Sequence, residues 1–293
     1  MRSLFAAAFA LVAFVCAPAN AQQQIDPPFY VVRDADSTMY LYGTVHIRPR
    51  GAEWGTPRVR EAIAASQDVW TEIEISPDAD ARAMSLATQL GTAADDRPLS
   101  SWLSPAEKSA LDAALTRMGI PPAALEGQEP WIAALTLSVV PLMQAGFDPA
   151  SGVDRAVDAY AGSMGKNMRT FETIEQQLGF FDGMSAEVQR EMLREAIEQA
   201  PDMAPMMMQL SNAWEQGDIA TLTALIVDDT RVNYPEMYDL ILVQRNNAWM
   251  PTIVNELNGA GVDFIAVGAA HLLGSDGLVA QLQARGYRVE RAH

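Results

Sequence analysis

The feature that most constrains this chain is a unit that occurs twice, once near each end. A β-prone run at residues 39–42 leads into Gly43-Thr44-Val45-His46, followed by a loop carrying Pro49, Gly51 and Gly55. A helix with Thr56 as N-cap and Pro57 at its first position comes next, and then an alternating strand over residues 69–75. Near the other end, an apolar β-branched run at 262–267 leads into Gly268-Ala269-Ala270-His271 and the loop Leu272-Leu273-Gly274. The helix after it is capped near Ser275 or Asp276, stops at Gly286, and precedes a closing strand at 287–290. Two copies of strand, Gly-x-x-His, helix and strand are expected to pack side by side in one sheet. The glycine allows the positive φ or close backbone approach needed for a sharp turn. Each imidazole would then stand at the end of a strand, where sheet-based sites usually lie.

The chain has three histidines, His46, His271 and His293, and two of them carry a glycine three residues earlier. With glycine this frequent, chance would give such a pair roughly 1% of the time. The pair is therefore more specific than either motif alone.

Between the two units the pattern is helical. A capping box at Ser104-Pro105-Ala106-Glu107 starts one helix and Gly119 stops it. Further helices are expected over about 129–145, 153–164, 174–182, 186–199, 206–215, 219–227 and 235–257, with a short strand near 168–171. Residues 29–32 and 39–42 read as an opening hairpin. The expected fold is α+β: a single domain over 29–293, with a mixed sheet built from the two end units and a large inserted helical layer.

Residues 1–21 read as a cleaved export signal, with Arg2 in the n-region, an apolar stretch, and Ala19-Asn20-Ala21 as the cleavage site. This implies a periplasmic or secreted protein, and residues 22–28 read as a flexible leader. Cys16 is the single cysteine and lies inside that signal, so the mature chain has no disulfide and no thiolate chemistry. The formal net charge of −17 opposes phosphate backbones and anionic lipid surfaces, which excludes nucleic acid as a partner. Past the signal, the longest apolar stretch covers 131–143 and contains Pro141, too short for a membrane span.

Glu72 and Glu74 are expected on one face of the 69–75 strand, opposite an apolar and buried face. Two imidazoles and a carboxylate (His46, His271 and Glu72) form a common ligand set for a hydrolytic divalent metal, with positions left for water and substrate. Arg245 and Asn246 fall in a well-covered helix, where a guanidinium needs an anionic partner and could stabilise developing negative charge. Met203, Met206, Met207 and Met208 read as helical core packing rather than a copper site.

Several segments together resemble the TraB/GumN family. They are Tyr40-Leu41-Tyr42-Gly43-Thr44-Val45-His46, Val69-Trp70-Thr71-Glu72-Ile73-Glu74, Gln244-Arg245-Asn246, and the tail from Phe264 through Gly268-Ala269-Ala270-His271 to Val289. Gly152-Val153-Asp154 and Glu172-Thr173-Ile174-Glu175-Gln176 add looser matches in the middle. The family includes the Tiki proteins, metal-dependent proteases acting on Wnt, and is similar to erythromycin esterases and the haem-binding ChaN proteins. The resemblance implies that His46 and His271 are the motif histidines, Glu72 the acidic residue after the first helix, and Arg245 the arginine of the late helix. Glu74 stands where the Tiki-like pattern has Asp.

The expected activity is thus a periplasmic metal-dependent hydrolase acting on peptide bonds. His46, Glu72 and His271 would hold Zn²⁺, Mn²⁺ or Co²⁺, Arg245 would steady the oxyanion, and Glu74 would serve as general base. The alternatives are a non-catalytic protein binding haem, metal or a glycan in the same crevice, and an accessory factor in exopolysaccharide assembly.

Overall fold

The computed structural model describes residues 25–93 and 97–292; the stretch read as an export signal with Cys16, most of the stretch read as a leader, and His293 lie outside the described residues. Among the described residues there are eight strands: β1 Phe29–Arg33, β2 Ser37–Thr44, β3 Arg48–Pro49, β4 Asp68–Thr71, β5 Phe147–Asp148, β6 Asn167–Thr170, β7 Gly261–Gly268 and β8 Val289–Arg291. Six of them form one mixed sheet in the order β6-β4-β7-β2-β1-β8, while β3 and β5 pair separately. β2 and β7 run parallel over eight register pairs, from Ser37↔Gly261 to Thr44↔Gly268. The two Gly-x-x-His units are therefore direct neighbours at the sheet centre. β4 and β6 continue the parallel arrangement on one side, and β1 is antiparallel to both β2 and β8 on the other.

The central strands are buried on both faces, as parallel strands flanked by helices usually are. Tyr42 of β2 and Phe264 and Ala266 of β7 pack with Phe29, Val59, Val157 and Trp214 on one side. Met39, Leu41, Ile265 and Val267 pack with Trp249, Ile253, Leu278 and Leu282 on the other. Helices cover both faces of the sheet: the Gln244–Leu257 and Leu278–Ala284 helices lie against the second face. A separate helical core joins Leu111 and Leu115 to Leu137, Leu193 and Ile197, which belong to the Pro105–Met118, Pro130–Gln144 and Ala186–Gln199 helices. None of the helices among the described residues is long and apolar enough to cross a membrane.

Local signals placed several helix ends correctly. Thr56 caps Pro57–Ala65 by accepting from the Val59 N–H, Ser104 and Glu107 form a reciprocal capping box, and Gly119 ends its helix at φ 75°. Other expectations need correction. The strand expected over 69–75 stops at Thr71, whose hydroxyl donates to the Ile73 carbonyl at 2.9 Å and turns the chain out of the sheet. The helix Pro77–Leu90, capped by Ser76, was not foreseen. The helix expected over 235–257 is three segments, Pro235–Tyr238, a π-helical Asp239–Val243, and Gln244–Leu257. A second π-helical segment, Thr223–Asp228, interrupts the helix expected over 219–227. Part of the stretch read as a flexible leader is docked: Ile25 is buried, and the Asp26 N–H donates to the Glu215 carbonyl at 2.7 Å.

Candidate functional site

Four parallel strands each deliver one ionisable side chain at the C-terminal edge of the sheet. In sheet order these are Glu172 after β6, Glu72 after β4, His271 in the turn after β7, and His46 after β2. The backbone fixes this edge. The Gly43 carbonyl accepts the Trp214 indole N–H at 2.7 Å, the Val45 carbonyl accepts from the Val153 N–H at 2.9 Å, and the Glu172 N–H donates to the Glu72 carbonyl at 2.9 Å.

The two motif glycines perform different tasks, and neither has positive φ among the glycines that do. At Gly43 a Cβ would stand 3.1 Å from the Ala269 Cα, so this glycine lets the second unit's backbone approach the first. At Gly268 a Cβ would stand 3.2 Å from Glu72 Oε1 and 3.3 Å from His46 Nε2. There the missing side chain makes room for the functional groups themselves.

Glu72 is the hub. Its Oε1 accepts the Gly268 N–H at 2.7 Å and lies 3.8 Å from Nε2 of both His46 and His271. Its Oε2 accepts from Arg245 Nη2 at 2.6 Å and from Gln177 at 3.3 Å. Burial alone would raise its pKa, but the neighbouring imidazoles, Arg245 and the Gly268 N–H outweigh that and hold the carboxyl well below the usual range.

His271 is buried and fixed in one tautomer. Its Nδ1 lies 2.7 Å from Asn246 Oδ1, while its Nε2 lies 3.1 Å from Arg245 Nη1. A guanidinium can only donate, so Nε2 is the acceptor and Nδ1 carries the proton. Asn246 also donates to the Asp276 carbonyl at 3.0 Å, which anchors the turn carrying His271. Desolvation, with Arg245 and His46 acting in the same sense, pushes the His271 pKa down to about 3. His46 is the opposite case. Its side chain is 60% exposed, and its Nδ1 lies 3.4 Å from Asp154 Oδ1. Desolvation works against its charged form, but Asp154 and Glu72 outweigh it and push the pKa up to about 9.

Arg245 has all five N–H groups engaged. Nε and Nη2 form a fork on Glu172 at 2.8 and 2.9 Å, Nη2 also meets Glu72, and Nη1 reaches the Ile241 carbonyl at 3.3 Å as well as His271. In this arrangement it orients Glu72 and His271, and its N–H groups point at protein partners rather than at an oxyanion position. Trp249 completes the support, donating to Glu172 at 2.9 Å and packing against the His271 ring, tilted by 42°, at a centroid distance of 4.4 Å.

Glu74 does not join these residues. It is exposed, accepts from the Ser76 hydroxyl at 2.8 Å and faces Arg82 at 3.8 Å. Because β4 ends at Thr71, Glu72 and Glu74 do not share a strand face, and the crevice receives only Glu72. Two participants escaped the sequence reading, Glu172 as partner of Arg245 and Asp154 as partner of His46. The signal for Glu172 was a repeated pattern. A short strand, an acidic residue and a capped helix occur at Thr71-Glu72 before Ser76, and again at Phe171-Glu172 before the capping box of Thr173 and Gln176.

Above this floor lies a crevice of about 380 Å³, walled by Phe180, Phe181, Met207, Leu210, Ile226 and Ile241. Met207 is thus a wall residue, while Met206 and Met208 are exposed; the methionine run is not core. Among the described residues, no group of three or more His, Cys, Asp or Glu side chains already stands in the geometry of a metal centre. No curated protein and no solved structure matches the chain. Its sequence does match the model of the TraB/PrgY/gumN family over residues 28–291. That match covers nearly the whole described chain, from the opening strand to the closing one, and the protein therefore belongs to the TraB/PrgY/gumN family.

Proposed function

We propose that this protein is an exported, metal-dependent hydrolase that cleaves peptide bonds at the edge formed by His46, Glu72 and His271. One observation carries the reading: two imidazoles from opposite ends of the chain stand 3.8 Å from a single carboxylate oxygen, on the floor of a crevice. The export signal read over residues 1–21 supports a periplasmic or secreted location.

The donors fit a divalent ion in chemical kind, although they are not drawn together as a finished centre. His46 Nε2 and Glu72 Oε1 flank the space kept open at Gly268, and His271 presents the lone pair of Nε2. Thr44 Oγ1, buried beside them in the same crevice, has no hydrogen-bond partner among the described residues and adds polar capacity to the floor. Zn²⁺, Mn²⁺ or Co²⁺ held by His46, Glu72 and His271 would activate a water and polarise a carbonyl. Asn246 keeps His271 in the tautomer that offers Nε2. Glu172 holds Arg245 in place, and Arg245, once His271 Nε2 serves as a ligand, has one N–H free for the negative charge that develops on the substrate. With Glu74 turned to solvent, the proton-accepting role falls to the site's own groups, and Asp154 behind His46 is placed to steady a charge there.

The test is elemental analysis and peptide turnover of the purified protein beside its His46→Ala, His271→Ala and double variants. One divalent ion per chain and hydrolysis in the parent, both lost in the variants, are the expected results. Full turnover by a metal-free double variant would refute the reading.

A further inference from the structure

The crevice walls have a character that hydrolysis itself does not require. Phe180 and Phe181 come from the Ile174–Asp182 helix, Met207 and Leu210 from Met203–Gln216, and Ile226 and Ile241 from the two π-helical segments. The ionisable side chains lining it, His46, Glu72, Arg245 and His271, all belong to the floor. A charged group placed against the walls would lose its hydration and gain no partner, whereas an apolar group is favoured there. A volume of about 380 Å³ is at the small end of ligand pockets and has room for a large side chain, not a folded domain.

The space also continues past the floor. Beyond Thr44, His46 and Glu72 lies a second cavity of about 230 Å³, lined by Ile73, Ile75, Pro149, Asp154 and Arg155. A ligand that fills both cavities extends on either side of the His46–Glu72 pair. A peptide does so, and an acyl group with a small leaving group does not.

Resting on the hydrolase reading above, we propose that the crevice is a specificity subsite for one large apolar side chain (Leu, Met or Phe) of an extended peptide, adjacent to the bond cleaved. Met207, Ile226 and Ile241 set its size. The two π-helical segments, each a local one-residue expansion of a helix, present Ile226 and Ile241 to this space, and such expansions often occur at functional sites.

The test separates binding from turnover by using EDTA-treated protein and the neutral dye N-phenyl-1-naphthylamine. The dye is expected to bind and to be displaced at least tenfold better by N-acetyl-Gly-Leu-Gly-amide or its Phe analogue than by the Asp and Lys analogues. Ile226→Asp and Met207→Lys should weaken dye binding at least tenfold, while the distant exposed variant Met84→Ala leaves it unchanged. If a charged variant fails to fold, Ile226→Ala and Ile241→Ala replace it, and should shift preference from Leu towards Phe and Trp peptides. Equal displacement by apolar and charged peptides, or unaltered dye binding in the wall variants, would overturn the proposal. So would displacement by octanamide but by none of the peptides. Selective peptide displacement without any hydrolysis would support the subsite while refuting the reaction.

Discussion

The Nε2 atoms of His46 and His271 lie at the same distance, 3.8 Å, from Oε1 of Glu72, yet the two rings are held in opposite electrostatic states. His271 is sealed against Trp249 and kept neutral by burial and Arg245, whereas His46 faces the crevice and is biased towards its cation by Asp154 and Glu72. One rigid imidazole with a fixed lone pair and one titratable imidazole therefore share a single carboxylate.

This pairing sets the pH dependence of the metal-free protein. His271 has its folded pKa depressed to about 3, so its contribution to stability is present above its unfolded value of about 6.5 and is lost as pH falls below that. His46 has its folded pKa raised to about 9, so its contribution is present below about 6.5 and is lost as pH rises through about 9. The pair should give maximal thermal stability near pH 6.5. In Asp154→Asn the alkaline decline should still begin near pH 6.5 but be smaller and end at lower pH, because the folded-state pKa of His46 moves back towards its unfolded value. Thermal melts across pH 4–10 and histidine proton titrations by NMR check both expectations.

Metal uptake should follow the same proton. An ion binding at His46 must displace it, so apparent affinity should climb about tenfold per pH unit between pH 6 and 8.5. Competition titrations with a chromophoric chelator measure this slope, and a flat profile would remove His46 from the ligand set.

The motif glycines should respond differently to the same substitution. Gly268 has φ −48° and ψ 136°, a conformation alanine adopts, so Gly268→Ala should keep the fold while its Cβ crowds Glu72 Oε1 and His46 Nε2. The expected outcome is a melting temperature close to the parent's with at least a hundredfold loss of turnover. Gly43→Ala meets backbone at Ala269 and should destabilise the whole fold by about 1–3 kcal/mol. Denaturant unfolding beside activity assays distinguishes the two.

Removing Glu172 leaves Arg245 with one carboxylate and the Trp249 N–H with none. Glu172→Ala should destabilise by about 3 kcal/mol, the usual scale for breaking a buried ion pair, and Glu172→Gln by less. Chemical denaturation measures the loss. Retained stability in Glu172→Ala would mean that Glu72 alone suffices for Arg245.

Glu74→Gln should leave turnover within about twofold of the parent, because the side chain is turned to Ser76 and Arg82 rather than to the crevice. A loss of a hundredfold or more, the usual scale for removing a general base, would place Glu74 in the reaction after all.

The sequence by itself determined the framework. Short-range physics wrote the caps at Thr56, Ser104 and Thr173, the stop at Gly119, and the runs that became β2 and β7. The repeated Gly-x-x-His unit was enough to put the two chain ends side by side, because two like strands, each apolar on both faces, are best buried next to each other. Tertiary structure decided what alternation could not. Glu72 and Glu74 are equivalent by period, and only the turn at Thr71, with the Gly268 N–H and Arg245 waiting for one carboxylate, draws Glu72 inward and leaves Glu74 in water. Likewise, nothing local marks Asp154 as the partner of His46, and the strand, acid and cap pattern that singles out Glu172 does not name Arg245 as its partner. Those contacts join residues far apart in the chain, and their energies depend on burial and on the geometry of partners that come together only when the sheet closes.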